Sequence, residues 1–408
     1  MLPAHALAEA NDIGQYSLTA LLKRLGLKRG SRFRRWRPTI GRMGSFIGRL
    51  ADRFPLRLSV ERFVLYAVGL TLIGLAQVLH SWQFAFWDWS TFAWAAAHVG
   101  TPGLLHPARF QDAFVYLPAA AWALAPLRGL PSGQGFALNA GIMLCALIAA
   151  ALVARRIYAL SFPFCLAAIA AWAPATYAIV IGQNSPIGLV LILVSLAGFV
   201  RRAPALTAIP LALLLYKPTF AIPLVGVLVL QRRSREIAIV AFGALCWYLG
   251  SVVATGGDWS WPITLARLEH ALFGIDFSYN ATKAISLTAL LVRVGVPGVV
   301  VAACAAFVVA ASIPALTRVP DREAYAAACL LGLVVSPHAW SYDAVLVLPM
   351  LFVVATTARE PVRTRLTCAA YAVAPMLLFA HEIGFNPLLL VVCGAFAVWF
   401  ARRWRSNP

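Results

Sequence analysis

The sequence predicts an all-α polytopic membrane protein, a bundle of roughly eleven to thirteen transmembrane or partial helices. Three observations predict it. Hydrophobic residues form 61% of the 408-residue chain and charged residues only 12%, about half the charged share of a soluble domain. Apolar runs near the roughly 20 residues needed to cross a bilayer recur along the sequence. Between them lie short basic clusters: Arg155-Arg156, Arg201-Arg202, Arg232-Arg233 with Arg235, Arg363 with Arg365, and Arg402-Arg403 with Arg405. Arginines placed in this way mark cytoplasmic loops.

Residues 1–60 read as a basic cytoplasmic N-terminal arm. Thirteen Lys or Arg residues lie between Lys23 and Arg62, and no apolar core of signal-peptide type precedes them. The net charge of +19 therefore points to anionic lipid, which attracts such segments, and not to nucleic acid. A first span is expected at 63–82, with the N-terminus in the cytoplasm. The aromatic segment that follows, with Trp82, Phe86, Trp87, Trp89, Phe92 and Trp94, suits the headgroup level. It predicts a helix over 88–99 lying on the outer surface. Further spans are expected near 136–154, 158–181, 185–200, 237–255, 284–317, 324–336, 342–357, 366–380 and 386–401. Counting back from the basic C-terminus places 182–185, 256–282, 336–340 and 381–386 outside.

Two stretches do not fit plain crossings. Arg201-Arg202 and Arg232-Arg233 both fall inside, so 204–231 is expected to be a hairpin whose arms are short for full crossings. Its tip, Lys217-Pro218, then lies within the outer half of the membrane beside a wet cavity, where broken helices are tolerated. With Asp88 outside and Arg155-Arg156 inside, 113–130 is either a half-helix dipping in from outside or a crossing that leaves Arg155-Arg156 against the charge rule. The seven cysteines stand singly in apolar spans, as small buried residues do.

Candidate functional residues are polar groups where a membrane protein places few. Asp88 is one of only 15 acidic residues, at the membrane boundary among aromatics. Besides chemistry it suits the cap of a helix starting at Trp89. Lys217 ends an apolar stretch, and intramembrane cations tend to face substrate paths. Gly182-Gln183-Asn184 makes a tight turn at a helix start, with two side-chain amides able to donate to sugar hydroxyls or phosphate oxygens. The island Ser336–Asp343 brings His338, Tyr342 and Asp343 between two apolar spans. Arg267, on an outer amphipathic segment with Glu269 and His270, reads as a contact for a lipid phosphate or as a solvated helix face. Soluble-enzyme motifs such as the P-loop and GxSxG are absent.

These islands, in this order, resemble glycosyltransferase family 87, membrane enzymes that use polyprenyl-phosphate sugars and include mannosyltransferases. The matching pieces are Asp88-Trp89-Ser90-Thr91-Phe92, Phe114-Val115-Tyr116-Leu117-Pro118 with Pro126 and Leu130-Pro131, Gly182-Gln183-Asn184, Tyr216-Lys217-Pro218, and Ser336-Pro337 with Tyr342-Asp343. The resemblance covers about residues 60–360. Departures are a shorter outer loop after the acid, Phe92 where a Tyr is frequent, and Tyr342-Asp343 in place of a Trp-Asp-His-Tyr form.

The resemblance implies a GT-C-type bundle over residues 61–408 with a periplasm-facing active site, in the bacterial inner (plasma) membrane. It implies transfer of a mannose-like hexose from a polyprenyl-phosphate-linked sugar to a glycan or glycolipid acceptor, with membrane lipids as neighbours. The family's essential acid maps onto Asp88, a general base for inverting attack. Lys217, Gln183 and His338 are then expected to stabilise the departing phosphate, with Tyr116, Asn184, Tyr342, Asp343 and Arg267 lining the substrates. Neither metal nor cofactor is expected, since the lipid phosphate is itself the leaving group. The alternative class is a transporter or lipid flippase, which would also place Asp88, Lys217 and Asp343 in the membrane.

Overall fold

The computed structural model describes Leu72 and residues 87–107, 109, 112–280, 283–358, 362–380 and 385–405. The basic arm and all of the expected first span except Leu72 lie outside these residues. The described part belongs to one compact unit within 60–408 and, among the described residues, is helical, with a single isolated bridge between Ala284 and Trp340. In chain order the helices are α1 (Trp87–His98), α2 (Ser132–Tyr158), α3 (Phe162–Ala170), α4 (Ala173–Ile181) and α5 (Ser185–Val200). Then come α6 (Pro204–Leu214), α7 (Pro218–Leu230), α8 (Ser234–Ala254), α9 (Trp261–Asn280), α10 (Leu287–Arg293) and α11 (Gly298–Leu316). Last are α12 (Asp321–Val335), α13 (Leu348–Thr357), α14 (Val362–Val373) and α15 (Leu388–Arg405). Short 3-10 helices at Pro102–Leu105, Pro118–Leu127, Ser341–Val347 and Ala374–Phe379 complete the order.

Among the described residues, three helices are long and apolar enough to cross a bilayer: α2, α8 and α11. Two expected crossings are broken. Residues 158–181 form α3 and α4, bent by 62°, because Pro163 and Pro174 each open a helix and the latter ends the run before it. The Trp172 indole at the bend donates to Ala344 O at 2.9 Å. Residues 284–317 split into α10 and α11 around Gly295, whose φ of +79° ends α10. The hairpin is found as expected: α6 and α7 meet at Lys217-Pro218, and proline again opens the second helix.

Contacts gather the loops at two poles. At one, Arg202 Nη2 and Gln231 Nε2 each lie 3.3 Å from Asp321, and Glu323 accepts from Trp399 Nε1 at 2.8 Å and Arg403 Nε at 2.7 Å. These are the basic segments that sequence assigned to the cytoplasm. At the other, Lys217 and Trp340 N–H meet at Asp343, Ile285 N–H donates to Ala339 O, Asn386 Nδ2 donates to Ser341 Oγ, and Gln183 reaches this group through the Tyr116 ring. Gln183, Trp340 and Asn386 belong to segments assigned outside, Lys217 to the hairpin tip, and Ile285 to the start of the expected span 284–317. Helix α2 runs between the poles: Gly135 at its start abuts Trp89, and Arg155-Arg156 end it. Residues 113–130 accordingly stay at the site pole. Pro118–Leu127 is a 3-10 helix tied to the end of α8 by Ala119 N–H on Ser251 Oγ at 3.1 Å. Arg155-Arg156 thus lie at the end of α2 away from Trp89 and the site pole.

Small residues let these helices approach without large side chains between them. A Cβ on Gly198 of α5 would lie 2.4 Å from Thr207 N and 2.5 Å from Leu206 C of α6. Gly198→Ala is therefore expected to force the backbones apart at a cost of about 1–3 kcal/mol, seen as a lower unfolding midpoint in detergent. Gly394→Ala, where an added Cβ meets nothing within 4 Å, serves as the control and leaves the midpoint in place. Helix α12 fills the middle of the bundle. Its residues Ala324–Val334 are all buried, Tyr325 bonds Ser195 of α5, and the Gly332 face is filled by Pro223 of α7.

Candidate active site

Asp88 sits in the first turn of α1, which begins at Trp87 and not at Trp89, so the carboxylate lies inside the helix start that it was expected to precede. A carboxylate there is favoured by the helix dipole. The helix is held to the protein by one face, with Trp89, Phe92, Ala95 and Ala96 buried. Trp89 stands edge-on to Phe136 at 6.3 Å and Phe92 packs on Tyr116 at 5.6 Å between ring centroids. Trp89 and Phe92 of this aromatic helix thus serve packing against the bundle.

Across from Asp88, α4 ends at Gly182 with φ +86°. That left-handed conformation suits glycine, and a Cβ would also lie 3.2 Å from Trp89 Cβ. The turn delivers Gln183 to Asp88. Gln183 Nε2 donates to Asp88 Oδ2 at 2.8 Å, and Gln183 Oε1 accepts from Tyr116 OH at 2.8 Å. The amide is thereby oriented at both ends, and a carboxylate of α1 is joined to a phenol of the 112–117 segment. Asn139 of α2 supports the turn from below, donating to Gly182 O at 3.1 Å.

Lys217 meets Asp343. Its Nζ is 2.5 Å from Asp343 Oδ1, with side chains 11% and 1% exposed. The same carboxylate accepts from Ser185 Oγ at 3.0 Å and, through Oδ2, from Trp340 N–H at 3.1 Å, so Asp343 also organises the start of the 3-10 helix Ser341–Val347. The ammonium lies 4.3 Å from the Phe220 ring, 5.0 Å from Tyr342 and 5.9 Å from Tyr116, distances at which ring quadrupoles attract a cation. Tyr116 in turn stacks on Tyr216 at 6.1 Å. The Tyr216 hydroxyl donates to Asn184 O at 3.3 Å and lies 3.4 Å from Asn184 Oδ1. Asn184 stands at the start of α5 without a side-chain capping bond.

Asp88, Tyr116, Gln183, Asn184, Lys217, Tyr342 and Asp343 therefore come together at one pole, from helices far apart in the chain. The link between Asp88 and Lys217 is indirect, through Gln183 and Tyr116. The direct ionic partner of Lys217 is Asp343. His338 lies on the turn after α12, where its backbone N–H donates to Ser336 Oγ at 3.3 Å. Arg267 lies in a groove of about 460 Å³ along α9, lined by Pro262, Ile263, Ala266, Arg267 and His270. The turn before α9 is held by Asp258, which accepts from Ser260 N–H at 2.7 Å and Ser260 Oγ at 2.6 Å. The Ser260 hydroxyl keeps the Asp258 carboxyl below its ordinary value, so the turn's small ionic stabilisation is present at neutral pH and lost as pH falls through the carboxylate range.

Sequence reasoning missed Ser185, Tyr216 and Phe220 as parts of the site. The signal for Tyr216 and Ser185 was adjacency to Lys217 and Asn184. Phe220, one turn into α7, looked like any apolar residue.

No curated protein and no solved structure matches the chain. The model of Glycosyltransferase family 87 matches residues 114–337, just over half of the sequence, which includes Tyr116, Gln183, Asn184 and Lys217 and stops short of Asp88 and Asp343. The family match and the apolar bundle agree in making this a membrane glycosyltransferase: the chain belongs to glycosyltransferase family 87.

Proposed function

We propose that the protein transfers a mannose-like hexose from a polyprenyl-phosphate donor to a hydroxyl of a glycan or glycolipid acceptor, at the outer face of a bacterial inner membrane. One observation carries this reading. A carboxylate, Asp88, and a cation, Lys217, lie at one pole of an apolar bundle, bridged by Gln183 and Tyr116. In the reaction the acceptor oxygen bonds to the anomeric carbon as the bond from that carbon to the phosphate oxygen breaks. The electron pair leaves with the phosphate, the acceptor proton passes to Asp88, and attack from the opposite face inverts the centre. Gln183 holds one carboxylate oxygen by its N–H, which orients the base. Lys217, kept in place by Asp343 and three rings, faces the growing phosphate charge. This scheme needs no metal or cofactor, because the leaving group carries its own charge. No observation favours the transporter or flippase alternative.

The test is transfer by the purified protein in liposomes, with polyprenyl-phosphate mannose and with nucleotide-linked mannose offered separately. Covalent product from the lipid-linked sugar alone supports the reading. Product from the nucleotide sugar alone, or flux of the lipid across the membrane without any covalent product, overturns it.

A further inference from the structure

We infer that Tyr116 is a positioning residue for the base: its hydroxyl acts on the transfer through Gln183 and not by binding sugar or phosphate itself. The inference rests on Asp88 as the general base of the reaction above. A carboxylate offers only acceptors, whereas a primary amide offers two donors on nitrogen and one acceptor oxygen. Gln183 can therefore bond Asp88 only through Nε2, as it does at 2.8 Å. That choice turns Oε1 to the other side, where only a donor can satisfy it. Tyr116 OH supplies that donor at 2.8 Å. The phenol has one proton, and this bond uses it. Gln183 is 5% exposed and Tyr116 8%, and a buried carbonyl oxygen that loses its donor is costly. Next to the base, such an oxygen would also compete with Asp88 for the acceptor's hydroxyl proton.

Both ends of this bond are held by the fold. Gln183 N–H donates to Ala178 O at 2.7 Å across the Gly182 turn, which gives the amide a fixed root. The Tyr116 ring lies 5.3 Å from Phe114 and 5.6 Å from Phe92, and stacks on Tyr216 at 6.1 Å. Leu117 N–H donates to Tyr216 O at 3.4 Å and ties the same segment to the hairpin. Phe92 stands one turn beyond Asp88 on α1, so the ring whose hydroxyl aims the amide touches the helix that carries the base. Hydroxyl and ring thus have separate tasks. The hydroxyl fixes Gln183, while the ring packs between α1 and Tyr216 and lies 5.9 Å from Lys217 Nζ. Phenylalanine at this position removes the first task and keeps the second.

The experiment places Tyr116→Phe in the wild-type and Asp88→Asn backgrounds, in liposomes. It measures kcat and both KM values for the lipid-linked donor and the acceptor, binding of a short-chain polyprenyl phosphate, and the unfolding midpoint. Tyr116→Phe alone is expected to lower kcat by about 10–10²-fold, the cost of a misaimed reacting group. Both KM values and polyprenyl-phosphate binding should stay near wild type. In Asp88→Asn the same change should alter the residual rate by no more than about twofold, because no base is left to aim. A lowered midpoint would be shared by both backgrounds, so the ratio of the two losses decides in either case. Wild-type kcat in Tyr116→Phe would overturn the inference. So would a raised KM at unchanged kcat, which marks a substrate contact, or an equal loss in both backgrounds, which marks packing. An inactive wild type, or normal turnover in Asp88→Asn, would instead strike the reaction itself.

Discussion

Asp88→Asn is expected to lower turnover of the lipid-linked donor by about 10²–10⁴-fold, the contribution of a positioned general base. Binding of polyprenyl phosphate and the unfolding midpoint should stay near wild type. The geometry explains why the change is so selective. Gln183 Nε2 donates to Asp88 Oδ2, and the amide oxygen of an asparagine can accept the same bond. Tyr116, Trp89 and the Gly182 turn keep their packing, so α1 remains seated. Only the capacity to take a proton is lost. The decisive measurement is single-turnover transfer in liposomes with saturating donor and acceptor. Near-normal turnover in Asp88→Asn would remove Asp88 from catalysis and leave it as a helix-terminal anchor. A variant that loses donor binding together with turnover would instead make Asp88 a structural partner of Gln183.

The second large effect concerns the Lys217–Asp343 pair. Stranding one member of a buried ion pair costs about 3–5 kcal/mol, and here the partner carboxylate is almost fully enclosed. Lys217→Met is expected to lower the unfolding midpoint sharply, because Asp343 keeps Ser185 Oγ and Trp340 N–H but loses its counter-charge. Asp343→Asn strands the ammonium, which the rings of Phe220, Tyr342 and Tyr116 compensate in part, so its loss is smaller. The double variant should be more stable than the sum of the two single losses predicts, yet remain inactive. Strict additivity of the three unfolding free energies would show that the pair is not coupled.

Much of the architecture was readable because its causes are local. Apolar run length, proline at a helix start and arginines at loop ends act over a few residues. They placed α5 at Ser185–Val200 to the residue, and the hairpin tip at Lys217-Pro218. Where local signals conflict, tertiary contacts decide. The run 158–181 is apolar throughout, yet Pro174 and the Trp172 bond to Ala344 turn it into two helices. The aromatic residues of α1 favour a membrane interface as much as a protein core, and nothing in their own chemistry decides between the two. Arg267 lies with His270 in a groove lined by α9 alone, and the charge of an arginine does not by itself say which surface it faces.

By itself the sequence determined that this chain is a helical membrane protein of glycosyltransferase family 87, and which polar residues had to answer for their place in an apolar chain. It also sorted the loops into two sets, which the contacts gather at opposite poles. The tertiary structure alone decided which polar residues meet. Gln183 reaches Asp88 across 95 residues of chain, and Lys217 reaches Asp343 across 126. The reason is physical: an ammonium attracts every carboxylate alike, so its partner is chosen by helix packing. Here that choice follows from the turn at Gly182 and the break at Pro218.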